Sequence, residues 1–458
     1  MAETSSLELL ETALERLRAG FAELPAFEET FPLSPSGRGG QGLKDVLNEV
    51  ADRLHDNYPY FHPLYAGQML KPPHPVARLA YELALWINPN NHALDGGRAS
   101  SSMEKEAVAE LARMVGWGST THLGHLCGGG TMANLEALWV AGQLQPGKTV
   151  VASSQAHYTH RRIAGVLGLP FDTIPCDRRG RMDVPALERR LAAGGVGTVV
   201  ATMGTTATGA VDPLDAMLAL RKRYDFRVHA DAAYGGYFAL VSDLAPETRA
   251  AFDGLHDVAS IVIDPHKHGL QPYGCGCVIF RDPSVGRLYR HDSPYTYYTS
   301  SELHLGEISL ECSRPGAAAV ALWATQRLLP LVRDGAFATG LAAGRAAAVT
   351  LYDRIRGDRR FVTGTPPDLD ILVWAPRAKR VSEASAQSRR IFDQAAQRGL
   401  HLAIASLPVH LIDVGDMQRD REMIICLRSV LMKPEHREWT DRIWTILDEA
   451  TQAVLGKC

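Results

Sequence analysis

Apolar residues fall in short runs through the middle of the chain and at helical spacing on either side of it. Thr149-Val150-Val151-Ala152, Thr198-Val199-Val200-Ala201, Phe226-Arg227-Val228-His229-Ala230, Ile261-Val262-Ile263 and Cys277-Val278-Ile279-Phe280 are too short for helices and read as buried strands. Helical patterns lie between or before them, near 131–142, 158–168, 184–192 and 213–223. Strand and helix thus alternate from about 120 to 282, the signature of a mostly parallel α/β sheet. Upstream, Leu7, Leu10, Leu14 and Leu17 predict an amphipathic helix over 1–20, and a second helical pattern runs over 43–55 after a Pro/Gly-rich loop at Phe31–Gly40. Residues 1–60 read as an arm too thin to be a domain, which must pack on another surface such as a second subunit. Downstream, helices are predicted over 316–329 and 335–355. Past Pro366-Pro367, strands at Ile371–Trp374, Leu402–Ile404 and Met423–Leu427 mix with helices near 382–398 and 435–454. The expected division is a helical arm (1–60), a large α/β domain (61–330) and a small C-terminal α+β domain (331–458).

Composition narrows the class without naming a chemistry. Of 458 residues, 46% are hydrophobic and 22% charged, and the formal net charge is −3. That is ordinary for a globular protein and argues against nucleic acid or an anionic membrane as the main partner. No apolar run approaches the roughly 20 residues needed to cross a bilayer. Met1-Ala2-Glu3-Thr4-Ser5-Ser6 is polar and acidic, unlike a secretory signal. The 7 cysteines are odd in number and scattered, so no disulfide framework is expected; a cytoplasmic protein with reduced thiols is.

In sheets of this kind ligands sit beyond the carboxyl ends of the strands, so the loops there carry the candidate chemistry. Gly128-Gly129-Gly130-Thr131 leads straight into a helix, where glycines admit an anion and free N–H groups point at it. It has no Gly-Lys-Ser/Thr ending and is not a P-loop. His157 follows the first run and can lie flat on an aromatic ligand. Ala201-Thr202-Met203-Gly204-Thr205-Thr206 offers hydroxyls after the second. Asp231 ends the third among small residues, where a carboxylate needs a partner; Ala233 leaves room for a flat ring. After the fourth comes Asp264-Pro265-His266-Lys267-His268-Gly269. Lys267 reads either as a surface lysine or, in apolar surroundings, as an amine nucleophile. Taken in order, anion loop, stacking histidine, strand-end aspartate and lysine describe pyridoxal 5′-phosphate chemistry, with Lys267 forming a Schiff base and Asp231 keeping the ring nitrogen protonated. Elsewhere, Tyr58-Pro59-Tyr60-Phe61-His62-Pro63 reads as a stiff aromatic segment, either packed linker or pocket wall. Ser101 with Glu104 fits a capping box, and Arg98 ahead of that helix is a candidate anion ligand.

His229-Ala230-Asp231-Ala232-Ala233-Tyr234-Gly235-Gly236, Asp264-Pro265-His266-Lys267 and Gln271-Pro272-Tyr273-Gly274-Cys275-Gly276-Cys277 carry a resemblance. Through residues 58–330 the chain resembles the group II pyridoxal-phosphate-dependent amino acid decarboxylases, which include glutamate, aromatic-amino-acid and archaeal-type tyrosine decarboxylases. Sphingosine-phosphate lyases are more distant relatives. The resemblance implies fold type I, the aspartate-aminotransferase architecture, and a homodimer with active sites at the subunit interface. It implies Lys267 as the Schiff-base lysine, His266 and Thr131 as phosphate ligands with Gly130 and Asp264 beside them, and His157 as the stacking histidine. Asp231 becomes the ring-nitrogen partner, and Thr205 and Ala233 become ring neighbours. The stretch Tyr58–Arg98, with His62, His92 and Arg98, would shape the substrate pocket, and Arg314 in Glu311-Cys312-Ser313-Arg314 would help fix the interface near the cofactor.

Two departures leave the reaction open. His268 stands where the family often has Trp or Met. The segment Asp292–Ser300 is short and offers three tyrosines, Tyr295, Tyr297 and Tyr298, any of which could return the proton to Cα or serve only in packing. The expected activity is decarboxylation of an L-amino acid or derivative. Oxidative deamination linked to decarboxylation, β-elimination and retro-aldol cleavage are the alternatives. A cofactor-binding protein without turnover is another. A more remote one is a zinc site made by His266, His268, Cys275 and Cys277.

Overall fold

A computed structural model describes residues 5–25, 42–92, 94–118, 122–289 and 309–456. The apolar runs become the inner strands of a seven-stranded sheet. In chain order its strands are β1 (Leu123–Cys127), β2 (Thr149–Ser153), β3 (Phe171–Ile174), β4 (Val196–Thr202), β5 (Arg227–Asp231), β6 (Ser260–Ile263) and β7 (Gly276–Phe280). Across the sheet the order is β1-β7-β6-β5-β4-β2-β3. β3, β2, β4, β5 and β6 run parallel, and β7 is antiparallel to both β6 and β1. β4, β6 and β7 are buried along their whole length. A strand covered on both faces carries an unbroken apolar run instead of alternation, which is why these segments stand out in the sequence.

Two strands of this sheet lack such runs. β1 is Leu-Gly-His-Leu-Cys, and β3, at the sheet edge, is Phe-Asp-Thr-Ile. In β1, a Cβ on Gly124 would come within 2.8 Å of the Val278 carbonyl oxygen, and His125 is satisfied by Glu136 at 2.7 Å. Their strand character comes from pairing with neighbours rather than from local propensity.

A second, four-stranded antiparallel sheet joins β8 (Phe361–Thr363), β9 (Ile371–Pro376), β10 (Ala403–Pro408) and β11 (Met423–Val430) in the order β10-β11-β9-β8. Alternate residues of β9 face opposite sides. Leu372 and Trp374 join a core with Ile391, Ile446 and Leu447, while Val373 and Ala375 join another with Leu407 and Ile424. The core of the large sheet also takes in Leu369, Ile371, Val430 and Met432.

At the start of the chain, α1 (Ser6–Ala19) and α2 (Leu43–Leu54) form as the leucine spacing predicts, and neither buries a residue. α1 has a full capping box at Ser5 and Glu8. Arg18 lies over the Trp86 ring at 4.7 Å, beside α3 (Pro75–Leu85). Tyr58, Tyr60, Tyr65 and His401 make an aromatic cluster, with Tyr60 edge-on to Tyr65 at 4.9 Å. That segment therefore packs near the second sheet. The loop read at Phe31–Gly40 and the tyrosine segment Asp292–Ser300 lie outside the described residues. Among the described residues no helix is long and apolar enough to cross a membrane.

The capping box expected at Ser101 and Glu104 does not form. Helix α4 (Arg98–Met114) starts earlier, with Gly97 as its cap, and Glu104 is buried. Its carboxylate accepts from the Leu126 N–H (2.9 Å), the Asn91 amide (2.6 Å) and Arg314 Nη1 (2.6 Å). Arg314 is also buried and donates to the Leu126 and Asn91 carbonyl oxygens at 2.8 and 2.6 Å. The pair ties α4, β1 and the Asn88–Arg98 loop to the helix that follows Arg314. A buried ion pair adds little over an apolar substitute, but leaving one charge alone is expensive. Glu104→Ala is expected to lower the unfolding free energy by about 3–5 kcal/mol, measured by urea denaturation.

Candidate active site

The carboxyl ends of the parallel strands open into one cavity of about 620 Å³. Four loops supply most of its walls, with Thr202, Gly204 and Thr206 after β4 and Glu311 completing them.

The first loop is Gly128-Gly129-Gly130 ahead of α5 (Gly130–Leu144). Gly129 has φ 151°, and a Cβ at Gly276 would lie 2.5 Å from Gly129 backbone atoms. A Cβ on Gly130 would come within 2.7 Å of Asp264 Oδ2. Only glycine fits this close passage. No side chain caps the helix, so its first N–H groups point into the cavity without an intrahelical acceptor. Thr131 is exposed at that helix start, with Thr159 Oγ1 at 3.4 Å.

The second wall is His157 after β2. Its ring is half-buried and tilted on Tyr158 at 4.4 Å, and burial holds its pKa below the usual histidine value. One helical turn on, His160 is fully buried in α6 (Thr159–Leu167) and donates from Nε2 to Asp231 Oδ2 at 2.8 Å. Asp231 closes the third side at the end of β5. Burial pushes its carboxyl up. The His160 hydrogen bond and the nearby positive charge of Lys267 outweigh that and hold it well below the usual carboxylate range. His229, on the same strand face, bridges Ser260 Oγ (2.9 Å) and Asn134 Oδ1 (2.8 Å), and burial lowers its pKa to about 3. Asn134 in turn donates to the Gly130 carbonyl oxygen at 2.8 Å.

The fourth wall is the turn after β6. The Lys267 N–H closes it on the Asp264 carbonyl oxygen at 2.9 Å. Lys267 Nζ reaches into the cavity and lies 2.9 Å from Asp264 Oδ2, so the amine is paired with a carboxylate rather than held in apolar surroundings. Asp264 is buried, and its Oδ1 has no partner among the described residues. His266 lies against the Tyr273 ring at 4.8 Å, its Nδ1 is buried without a partner among the described residues, and burial depresses its pKa.

The cavity therefore gathers Gly130, Thr131, His157, Asp231, Ala233, Asp264, His266 and Lys267. It does not gather the others. Thr205 turns its hydroxyl into its own loop, bonding Thr208 Oγ1 (3.0 Å) and the Ala210 N–H (3.1 Å); Thr202 and Thr206 line the cavity instead. His62 packs edge-on against Trp439 at 4.9 Å, away from the cavity. His92 sits in the loop before α4 with Nδ1 buried and unpartnered among the described residues, and Arg98 is exposed on the first turn of α4. Arg314 is spent inside the chain on Glu104. Tyr295, Tyr297 and Tyr298 lie outside the described residues. The four zinc-ligand types do not converge. His266 faces Tyr273, whereas His268 is buried between Tyr234 and Phe238 at 4.6 and 5.1 Å. Among the described residues no group of three or more His, Cys, Asp or Glu is arranged to hold a metal ion.

Sequence reasoning missed His160, Asn134, Tyr234 and Glu311. Glu311 accepts the Gly128 N–H at 3.0 Å on the cavity rim. His160 follows His157 at a spacing that puts both on one side of a helix start, and that was its only signal.

With this geometry in place, comparison with known proteins gives the class. Residues 45–365 match the model of the pyridoxal-dependent decarboxylase conserved domain, more than half of the chain. The chain belongs to that family. Among its relatives is a probable L-aspartate decarboxylase of Halobacterium salinarum, 31% identical over 336 residues that cover 71% of this chain and 89% of that one. Another is an L-tyrosine decarboxylase of Levilactobacillus brevis, 28% identical over 390 residues, 63% of this chain and 62% of that one. The chain thus spans less than two thirds of the length of the Levilactobacillus enzyme. In fold it is similar to the crystal structure of Oryza sativa TDC with PLP and tryptamine (TM-score 0.79, 19% identity, 100% of both chains). It is likewise similar to that of mouse CSAD in apo form (TM-score 0.78, 20% identity, 99% of both).

The family's cofactor is pyridoxal phosphate, and the residues present fit it. A buried His266 nitrogen, without a partner among the described residues, lies beside the uncapped helix start, and the ionised Asp231 lines the same cavity as Lys267.

Because the folded-state pKa of Asp231 is depressed, its stabilising contribution is present above the ordinary aspartate value of about 3.9 and is lost as pH falls below it. His160→Phe removes the hydrogen-bond partner and leaves the buried carboxylate opposed only by more distant charge. The apo-variant is expected to be about 1–3 kcal/mol less stable than the parent at neutral pH, a gap that narrows as pH falls through about 4. Urea unfolding across pH checks both.

Proposed function

We propose that the chain decarboxylates an L-amino acid, or an amino acid derivative, with pyridoxal 5′-phosphate held by Lys267. The observation that carries this is the convergence of the Lys267 amine, the ionised Asp231 carboxylate and a glycine-lined helix start on a single cavity. Gly130, Thr131 and His266 would take the phosphate, and His157 offers a flat ring at the wall. When bound, the cofactor supplies an electron sink for the pair left on Cα as carbon dioxide departs. The chain's own work is to hold charges and protons in place. Asp231, anchored by His160, is the group that would keep a ring nitrogen protonated. Asp264 orients the Lys267 amine, and Ala233 leaves the space beside Asp231 open. The names of the relatives put L-tyrosine and L-aspartate first among substrates to try.

The proposal extends to a homodimer. α1 and α2 bury nothing, and Leu47, Val50 and Leu54 on α2 are 57%, 48% and 60% exposed. Apolar faces of this kind on an arm need a partner surface.

Purified protein is expected to show a visible absorption band with bound cofactor that Lys267→Ala abolishes. An amino acid panel should yield carbon dioxide and amine in equal amounts. Ammonia and aldehyde without amine would move the reading to oxidative deamination. Sedimentation should give a dimer, and Leu47→Glu with Val50→Glu should shift it toward monomer; a monomeric parent would reject the dimer.

A further inference from the structure

A second cavity, of about 320 Å³, lies on the other side of the lysine turn. It forms where the segment Lys71-Pro72-Pro73-His74, the turn residues His268 and Leu270, and Lys433-Pro434-Glu435 meet. Most of its wall is apolar. Its polar character is concentrated in two lysines. Lys433 is 4% exposed, and its ammonium donates to the Tyr65 carbonyl oxygen at 2.7 Å and sits 5.2 Å over the Tyr65 ring. Lys71 is half-buried and donates to the Met432 carbonyl oxygen at 3.3 Å. Among the described residues each ammonium has that single carbonyl acceptor, although an ammonium carries three donors.

Two cations on the wall of one cavity, one of them buried, are costly without a counter-charge. Burial lowers both to about 8; Lys71 is partly supported by Asp370 and Glu435, while Lys433 is further depressed by Lys71 and supported by Glu435. Neither carboxylate completes the site. Glu435 is exposed at the rim. Asp370 lies behind His268, engaged by the Tyr234 hydroxyl at 2.6 Å. His74 is already turned to the Val76 N–H as a helix cap. Both lysines line a space whose volume lies at the lower end of small-molecule pockets, about 300 Å³ upward.

We propose that this cavity binds a small organic acid, with its carboxylate between Lys71 and Lys433 and an apolar body against Phe61, Leu270, Phe337 and Leu341. A charged head against paired ammoniums and a dry body against such walls is the ligand chemistry the lining matches. The site is separate from the catalytic cavity and does not depend on the proposed reaction. It does touch the same turn. His268 follows Lys267, stands 4.6 Å from Tyr234, and brings Nε2 within 3.2 Å of Asp370 Oδ2, though out of line for a hydrogen bond. Tyr234 lines the catalytic cavity.

The test is calorimetric titration of the cofactor-loaded protein with phenylacetate, with inorganic phosphate as the bare-anion control. Phenylacetate should bind more tightly than phosphate. Lys71→Met and Lys433→Met should each weaken it by about tenfold or more, the loss of one charge-assisted contact. Because Lys433→Met also removes a tie to Tyr65, Ala336→Phe provides a second arm. It places a ring at the exposed mouth of the cavity, leaves both lysines in place, and should abolish binding. Lys267→Ala should leave phenylacetate affinity unchanged, since binding in the catalytic cavity would not. No binding at millimolar phenylacetate, affinity unaffected by the lysine and Ala336 variants, affinity lost in Lys267→Ala, or phosphate binding as tightly as phenylacetate would each overturn the proposal.

Discussion

A carboxylate buried out of water has to be paired, and the strand ends of this sheet carry two such groups. Asp231 is 6% exposed and Asp264 2%. Their partners come from elsewhere in the chain: His160 from the helix after β2 for Asp231, and Lys267 from the turn after β6 for Asp264. Meeting this requirement fixes where α6 and the lysine turn lie relative to the sheet. It also sets the chemistry of the cavity, because a carboxylate held ionised and an amine held in place both face the same space.

The requirement reaches further through hydrogen bonds. Ser260 Oγ, His229, Asn134 and the Gly130 carbonyl oxygen form one chain with links of 2.9, 2.8 and 2.8 Å. It joins β6 and β5 to the first residue of α5. With His229 neutral over the working range, its two ring nitrogens have fixed and opposite roles, one donor and one acceptor. The glycine loop and the Asp231 end of the cavity are thereby held at a set spacing by a buried network with no charge in it. Such networks rigidify when fully satisfied.

Much of this was readable from the chain. The inner strands are continuous apolar runs because both faces are covered. Residues just past them, His157, Asp231 and Lys267, could be placed in a pocket by topology alone. What could not be read depends on pairs far apart in sequence. His160 to Asp231 spans 71 residues and Arg314 to Glu104 spans 210, and neither residue type announces its partner. Glu104 is instructive, because its local signal was a helix cap. The buried guanidinium offers a charge-assisted bond that a solvated cap does not, so tertiary pairing overrode the local motif. Thr205 failed for the opposite reason. A hydroxyl in a Thr/Gly turn finds a partner within its own loop, and Thr208 and the Ala210 N–H supply it before any ligand does.

The lysine turn shows how a short segment can serve two spaces. Its first half turns toward the Gly loop: Asp264 against Gly130, His266 beside Gly129, and Lys267 into the cavity. His268 and Leu270 turn the other way, toward the lysine-lined cavity. Leu270 has φ 64°, and a Cβ on Gly269 would meet Pro265 backbone at 2.5 Å and the Tyr237 hydroxyl at 2.4 Å. A left-handed non-glycine residue and a glycine with no room beside it are local costs that the surrounding packing has to hold in place. The turn cannot relax toward one side without being felt on the other. A change in packing around His268 therefore bears on the position of Lys267 through the backbone they share, whatever occupies either cavity.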